Sequence, residues 1–303
     1  MSTSAELVFD ARSSVGESPV WRAAEQALYW VDIPAGKLCR WDAASGQTEQ
    51  WQGKEMLGCI APHRGSGSWI AGMETGLFEL VVRPDGTLHT HLFASVNHPQ
   101  PGMRFNDGRC DRQGRFLAGT MVMDMSAAAS LGKIYRYDGP NALTAVVTGL
   151  ITPNGMAFSP DGETMYLSDS HPSVQTIWAY DYDVSTGEPS NRRLFVDMKP
   201  LPGRPDGAAV DEDGCYWICA NDAGLVHRFT PQGRLDYSLA VPVKKPAMCA
   251  FGGAGLDILF VTSIRPEGID LSDQPLAGGV FAIQPGRGVH GLPEPVHTRN
   301  RSH

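Results

Sequence analysis

The chain has 303 residues, of which 42% are hydrophobic, 34 are glycine and 22 are proline, and its formal net charge is −8. This composition is typical of a compact protein with many turns and excludes a long disordered chain. Lys and Arg form no run that could follow a phosphate backbone, so we expect neither nucleic acid nor an anionic membrane as a partner.

The N-terminal segment MSTSAELVFD lacks the basic and apolar regions of a secretory signal. No apolar stretch approaches the roughly 20 residues that a membrane-spanning helix requires. Six cysteines are scattered along the chain, and none forms a C-x-x-C pair. We therefore expect a cytoplasmic protein with buried free thiols, without a zinc ribbon or a disulfide scaffold.

Short runs rich in β-branched and aromatic residues follow one another along the chain. In order they are ALYWVDI, SWIAGM, RFLAGTM, TMYLSDS, CYWICAN and DILFVTS, and each is followed by a second run that leads into a turn. The resulting unit occurs six times at intervals of about 40 to 50 residues, a spacing typical of propeller blades. A sandwich or barrel would also alternate strands, but it would not need the same strand-turn-strand unit at even spacing.

The sequence therefore predicts an all-β protein, a six-bladed β-propeller with four-stranded blades around a central channel. We expect residues 1–303 to form a single domain, with the N-terminal segment ELVFDA closing the last blade. The C-terminal segment HGLPEPVHTRNRSH is predicted to be a terminal extension of low order.

A comparable seven-residue segment precedes the first of these strands in every unit. The segments are VGESPVW, MLGCIAP, RFNDGRC, TPNGMAF, RPDGAAV and KPAMCAF. Because the first strand of a blade lines the channel, the third residue of each segment should lie at a similar height near the axis. These third residues are Glu17, Gly58, Asn106, Asn154, Asp206 and Ala247. Four of them carry carboxylate or amide oxygens, and we expect these oxygens to converge.

Two carboxylates and two amide carbonyls form a hard oxygen site that favours a divalent cation. Calcium, magnesium and manganese suit such ligands best, while zinc and iron(II) remain open alternatives. A purely structural explanation is that Asn-Gly and Asp-Gly are turn dipeptides, which accounts well for Asp161-Gly162 and Asp213-Gly214. The repetition of polar residues in register favours the metal site, with the polar residue serving both as turn residue and as ligand.

Loops that open on the same face are predicted to carry further polar side chains to the channel mouth. These are Asp32, Glu74, Asp124, His171, Asn221 and Arg265, together with Arg104 at the start of its strand. Other catalytic chemistries find no motif, because the chain has no G-x-S-x-G, no P-loop, no H-E-x-x-H and no G-x-G-x-x-G that opens a helix.

Four segments resemble the regucalcin (senescence marker protein)/gluconolactonase family, whose members are six-bladed propellers with one axial divalent metal. The segments are GESPVW, RFNDGRCDRQGRFLAGTM, TPNGMAFSPDG and RPDGAAVDEDG, and the resemblance covers essentially the whole length. It implies that Glu17, Asn154 and Asp206 are metal ligands, and that Asn106 ligates the metal or meets it through water or substrate.

The same resemblance implies that Arg104 binds substrate. Asp124 falls where some relatives have an acidic substrate contact, although that residue is Glu in them and the surrounding loop differs here, which leaves the sugar preference open. Many bacterial relatives hydrolyse sugar lactones to aldonic acids. We therefore expect a metal-dependent lactonase in which Asp206 is the general base and Arg104, Asn106 and Asp124 orient the sugar hydroxyls.

Alternative hypotheses keep the same fold but assign it a different function. Related propellers cleave phosphotriesters and fluorophosphates at a similar axial calcium, and calcium buffering has been proposed for animal relatives. A propeller can also serve only as a binding module, because a fold does not fix a function. That last reading does not require the axial oxygens.

Overall fold

The computed structural model describes residues 5–64 and 67–298. Within these ranges the chain forms 24 β-strands and one short 3-10 helix, Met125–Ala127, and no α-helix. The strands make six antiparallel sheets of four strands each. No helix in the described ranges is long and apolar enough to cross a membrane.

The sheets follow the order of the chain. The first blade contains β2 (Gly16–Arg22), β3 (Ala27–Asp32), β4 (Lys37–Asp42) and β5 (Thr48–Gln52). The second contains β6 (Leu57–Pro62), β7 (Ser68–Met73), β8 (Gly76–Val82) and β9 (Leu88–Ser95). The third contains β10 (Met103–Cys110), β11 (Phe116–Val122), β12 (Gly132–Gly139) and β13 (Ala142–Leu150).

The other three blades repeat this arrangement. The fourth contains β14 (Pro153–Phe158), β15 (Thr164–Asp169), β16 (Thr176–Asp183) and β17 (Glu188–Asp197). The fifth contains β18 (Arg204–Val210), β19 (Tyr216–Asn221), β20 (Leu225–Phe229) and β21 (Leu235–Ala240). The sixth contains β22 (Pro246–Gly252), β23 (Ile258–Ser263) and β24 (Val280–Ile283), with the N-terminal β1 (Glu6–Phe9) as its outer strand.

The sixth blade closes the ring. β1 pairs antiparallel with β24, so the first strand of the chain completes the last sheet, as predicted for ELVFDA. Each innermost strand contacts that of the next blade, and β22 contacts β2. The predicted all-β, six-bladed β-propeller is confirmed. The assignment of residues 1–303 to a single domain stays a prediction, because its ends lie outside the described residues.

The hydrophobic core is divided among the spaces between blades. Six apolar clusters each join two adjacent blades, since every blade buries one face against its neighbour. Between the sixth and first blades, the rings of Trp21 and Phe260 stack with centroids 5.4 Å apart. Because burial of these apolar faces is favourable, it stabilises the closed ring of blades.

Every innermost strand carries a register shift at the same place, close to its start. The shifts lie between Glu17 and Val20, Leu57 and Cys59, Phe105 and Gly108, Asn154 and Ala157, Pro205 and Ala208, and Pro246 and Cys249. Each is a β-bulge, which leaves one residue without a ladder partner and redirects the adjacent side chains. The six channel-lining positions predicted from the sequence lie within or directly beside these bulges.

The prediction of turns at these positions was wrong. Asn154-Gly155 and Asp206-Gly207 lie inside strands, because β14 and β18 pair with β15 and β19 on both sides of each bulge. Gly155 has φ +61°, which its lack of a side chain permits. Gly207 is needed for space, since a Cβ there would lie 2.3 Å from the Met248 Cβ. Asp161-Gly162 and Asp213-Gly214, by contrast, do occur at turns.

The expectation of a poorly ordered C-terminal extension was also wrong for residues 290–298. The predicted ligands lie near the starts of the innermost strands, at one mouth of the channel. The ends of β6, β10 and β22 therefore lie at the opposite mouth. The segment packs there: Glu294 pairs with the buried Arg109 at 3.1 Å, and the His297 N–H donates to the Pro62 carbonyl at 2.7 Å. Residues 299–303 lie outside the described ranges.

Candidate metal centre and active site

The predicted oxygen ligands are buried at the start of the innermost strands. Glu17, Asn106, Asn154 and Asp206 are 8%, 8%, 4% and 6% exposed, although all four are polar. Buried carboxylates and amides normally have a partner, because an unpaired one loses the free energy of its hydration. The partners of these four side chains therefore indicate what the site is built to hold.

Asp206 is held by two amide groups. The Asn154 Nδ2 donates to its Oδ1 at 2.8 Å, and the Asn221 Nδ2 donates to its Oδ2 at 2.6 Å. Asn221, at the end of β19, is one of the residues predicted at the channel mouth. Its own Oδ1 accepts a long hydrogen bond, 3.4 Å, from Arg204. This arrangement fixes the Asp206 carboxylate while each oxygen keeps a second acceptor position.

Asn154 has an unused acceptor. Its Nδ2 is engaged with Asp206, whereas its Oδ1 is buried and has no hydrogen-bond partner among the described residues. A buried amide oxygen without a donor is uncommon and indicates a missing partner such as an ion or a water. An oxygen of this kind is suited to a hard divalent cation.

The electrostatics of the two carboxylates point the same way. Burial, with added repulsion from Asp206 and Asp107, raises the pKa of Glu17 well above its ordinary value. Burial also raises the pKa of Asp206 to about 7, against the lowering effects of Arg204 and Asn221. Ionisation of both carboxyl groups is therefore unfavourable in this environment. A divalent cation bound to them would stabilise the ionised forms.

These residues fit a metal by donor type as well as by charge. No three His, Cys, Asp or Glu side chains within residues 5–64 and 67–298 lie together as a metal-binding group. The candidate set instead combines two carboxylates, Glu17 and Asp206, with the Asn154 amide oxygen. Such a set is hard and oxygen-based, as the sequence predicted, and it suits calcium, magnesium or manganese better than a soft metal.

Arg104 and Asn106 form a second part of the site. Nη1 of Arg104 donates to Oδ1 of Asn106 and to the carbonyl of Phe105, both at 2.8 Å. Burial lowers the pKa of Arg104 to about 10, and Glu17 is the first of the acidic groups that counteract this effect. The Asn106 oxygen therefore already accepts a hydrogen bond from Arg104, whereas the Asn154 oxygen accepts none from the described residues.

Asp124 lies in a different setting. Its carboxylate is exposed and caps the 3-10 helix, where Oδ1 accepts from the backbone N–H of Ser126 at 3.0 Å and from its hydroxyl at 2.6 Å. These hydrogen bonds lower the pKa of Asp124. Nε2 of His171, in the next blade, lies 3.1 Å from the Met125 carbonyl and links the helix to that blade.

Two other residues predicted at the mouth support the backbone. The Asp32 carboxylate accepts the N–H groups of Ser14 and Val15, both at 3.1 Å, and so orders the entry to β2. Arg265 donates to the carbonyl of Ala277 at 3.2 Å. Their side chains therefore have structural partners.

Sequence reasoning missed Asp107. This residue is buried in the bulge of β10, where Oδ2 accepts the Met156 N–H at 2.8 Å and Oδ1 has no hydrogen-bond partner among the described residues. Its signal was present in the motif RFNDG, directly after Asn106, but an Asp before Gly was easily taken for a turn residue.

Comparison with known proteins places this chain in a family. Residues 15–265 match the model described as "SMP-30/Gluconolactonase/LRE-like region", a span that includes all six innermost strands. The chain belongs to this family. The predicted relationship to regucalcins and gluconolactonases, a family with lactone-hydrolysing enzymes, is confirmed.

Individual relatives match over nearly the whole chain. A 6-deoxy-6-sulfogluconolactonase from Pseudomonas putida is 36% identical over 98% of this chain and 99% of its own length. A regucalcin from Danio rerio is 34% identical over 97% of this chain and 98% of its own length. The crystal structure of a calcium-binding regucalcin from Agrobacterium tumefaciens is similar with a TM-score of 0.90, at 27% identity and 99% coverage of both chains.

Proposed function

We propose that the protein hydrolyses a sugar lactone to the corresponding aldonic acid, with a divalent cation bound by Glu17, Asn154 and Asp206. The observation that carries the proposal is the buried Asn154 Oδ1, which has no hydrogen-bond partner among the described residues and belongs to the same side chain that holds Asp206. The name of the 6-deoxy-6-sulfogluconolactonase from Pseudomonas putida supports the reaction class. The calcium-binding regucalcin supports the kind of cofactor, without distinguishing calcium from zinc, manganese, magnesium or iron(II).

When bound, such a cation supplies Lewis-acid polarisation of a carbonyl oxygen and lowers the pKa of a coordinated water. The protein's own groups account for the rest of the reaction. Asp206 accepts the proton of the attacking water as general base, and its amide partners Asn154 and Asn221 keep the carboxylate oriented for that transfer. Water adds to the lactone carbonyl, the ring C–O bond breaks, and the proton passes to the leaving ring oxygen.

Arg104 and Asn106 are proposed to orient the sugar. Nη1 of Arg104 is fixed on Asn106, so the two side chains present one rigid polar surface beside the ligands. A preorganised surface of this kind favours the reacting geometry without further ordering cost. Asp124 would contact a distal hydroxyl from the rim of the channel. The six cysteines are free and buried, which supports the expected cytoplasmic setting.

The test is a metal-reconstitution assay. The protein is stripped with chelator, and acid release is followed from a panel of pentonolactones, hexonolactones and a 6-sulfo-hexonolactone. Calcium, magnesium, manganese, zinc and iron(II) are added back one at a time. Hydrolysis of a lactone that depends on the added cation is the expected result, and it would identify substrate and metal together.

Asp206→Asn is the matched variant, because it preserves the size and shape of the side chain but removes the base. We expect a loss of turnover of at least 100-fold with an unchanged circular dichroism spectrum, in line with the usual contribution of a general base. An aryl phosphotriester serves as the comparison substrate. Metal-dependent cleavage of the phosphotriester alone would replace the lactonase proposal, and near-normal lactonase activity of Asp206→Asn would remove Asp206 from the role of base.

A further inference from the structure

The third blade holds the bulge of the fourth blade on both sides of Asn154. Three side chains of β10 reach across to β14 and bind backbone groups of the bulge. The hydrogen bonds are Asn106 Nδ2 to the Pro153 carbonyl (3.1 Å), the Met156 N–H to Asp107 Oδ2 (2.8 Å) and Arg109 Nη1 to the Met156 carbonyl (3.2 Å). These contacts immobilise the residues that flank Asn154.

The fifth blade adds a fourth hydrogen bond to the same bulge, and we call these four contacts on residues 153–156 the clamp. The Tyr216 hydroxyl donates to the Gly155 carbonyl at 2.7 Å. Gly155, with φ +61°, is the point at which the backbone has most freedom. Side chains from both neighbouring blades therefore determine the backbone at positions 153–156, and this backbone sets the direction of the Asn154 side chain.

Asp107 makes the decisive contact in the clamp. Met156 lies in the part of β14 that has no register partner on β15, so its N–H needs an acceptor from elsewhere. Asp107 supplies that acceptor although it is itself buried, and a buried N–H left without one would be costly.

We propose that Asp107 is a positioning residue of the metal centre: it holds the Met156 N–H so that the Asn154 amide oxygen stays available to a divalent cation. This inference rests on the proposed function, and it concerns cation affinity more directly than turnover. Outer residues that orient metal ligands typically change metal affinity by about 10- to 100-fold when they are mutated.

The test measures calcium affinity by titration calorimetry on protein stripped with chelator. Asp107→Leu removes the acceptor, whereas Asp107→Asn keeps an oxygen that accepts from Met156. We expect Asp107→Leu to weaken calcium binding by about tenfold or more and Asp107→Asn to recover a substantial part of that loss. Tyr216→Phe, which releases only the Gly155 carbonyl, should weaken binding by a smaller factor.

Tyr182→Phe is the matched control. It also removes a buried tyrosine hydrogen bond, 2.9 Å to Asp111, but this bond lies away from the bulge. The control should lose stability in thermal melts with chelator present and keep the calcium affinity of the wild type.

Several outcomes would overturn the inference. Asp107→Leu with wild-type affinity would do so, and so would equal losses in Asp107→Asn and Asp107→Leu, because the effect would then be one of charge alone. If Asp107→Leu does not fold, Asp107→Ala replaces it, and wild-type calcium affinity in that variant overturns the inference. If the wild-type protein binds neither calcium nor any other cation of the panel, the proposed metal centre is refuted together with the inference. If the wild type binds calcium and the variants behave as described above, only the inference about Asp107 fails.

Discussion

The stability of the metal-free protein should fall as the pH rises, and Asp206 gives the expected size of the effect. The folded protein raises the pKa of this carboxyl from 3.8 to about 7. A raised pKa stabilises the fold while the group is protonated, and this contribution is lost as the pH rises through the folded value. Between pH 5 and pH 8 the loss is about 2–3 kcal/mol for Asp206 alone. Glu17 acts in the same direction, because its pKa is also raised.

The assay is urea unfolding of chelator-stripped protein at pH 5 and pH 8, for the wild type and for Asp206→Asn. The variant cannot ionise at this position, so the difference between the two pH dependences isolates Asp206 from groups that titrate elsewhere. Added calcium should abolish or reverse the trend in the wild type, since a bound cation favours the ionised carboxylates. A wild-type stability that does not fall relative to Asp206→Asn would refute the electrostatic account of the site.

Three further substitutions test separate parts of the structure. Glu17→Gln should keep the fold but remove the stabilisation that calcium gives in thermal melts; a normal calcium-dependent shift would exclude Glu17 as a ligand. Gly207→Ala should lower the free energy of unfolding in urea by about 1–3 kcal/mol, because its Cβ would lie 2.3 Å from the Met248 Cβ; an unchanged urea midpoint would contradict this packing. Glu294→Gln leaves Arg109 buried without its carboxylate partner and should lower the melting temperature by several degrees while calcium affinity is retained; equal stability would show that the C-terminal segment does not need this ion pair.

Much of the fold could be read from short windows of sequence. Each blade repeats its strands and turns within about 40 to 50 residues, and alternating apolar residues and Gly-containing turns are local signals. The same repetition assigned Glu17, Asn106, Asn154 and Asp206 to equivalent strand positions before any contact between blades was known. Residues that recur in register across repeats can be compared with one another even within a single chain.

The contacts between blades could not be read in the same way. The bulges that redirect these side chains arise where six innermost strands crowd around one axis, and a local Asp-Gly or Asn-Gly pair looks the same in a turn as in a bulge. The clamp on Asn154 joins residues about 50 positions apart, and Glu294 reaches Arg109 from the far end of the chain.

The sequence by itself therefore determined the repeating unit, the closure of the ring by the N-terminal strand and the residue types on the channel axis. The tertiary structure decided that Asp107 accepts the Met156 N–H across two blades, that Asp124 caps a short helix, and that residues 290–298 pack against Arg109 and Pro62. The physical reason is range. Hydrophobic period and turn chemistry act over a few residues, whereas the hydrogen bonds and ion pairs that orient a site form only when blades distant in sequence are packed together.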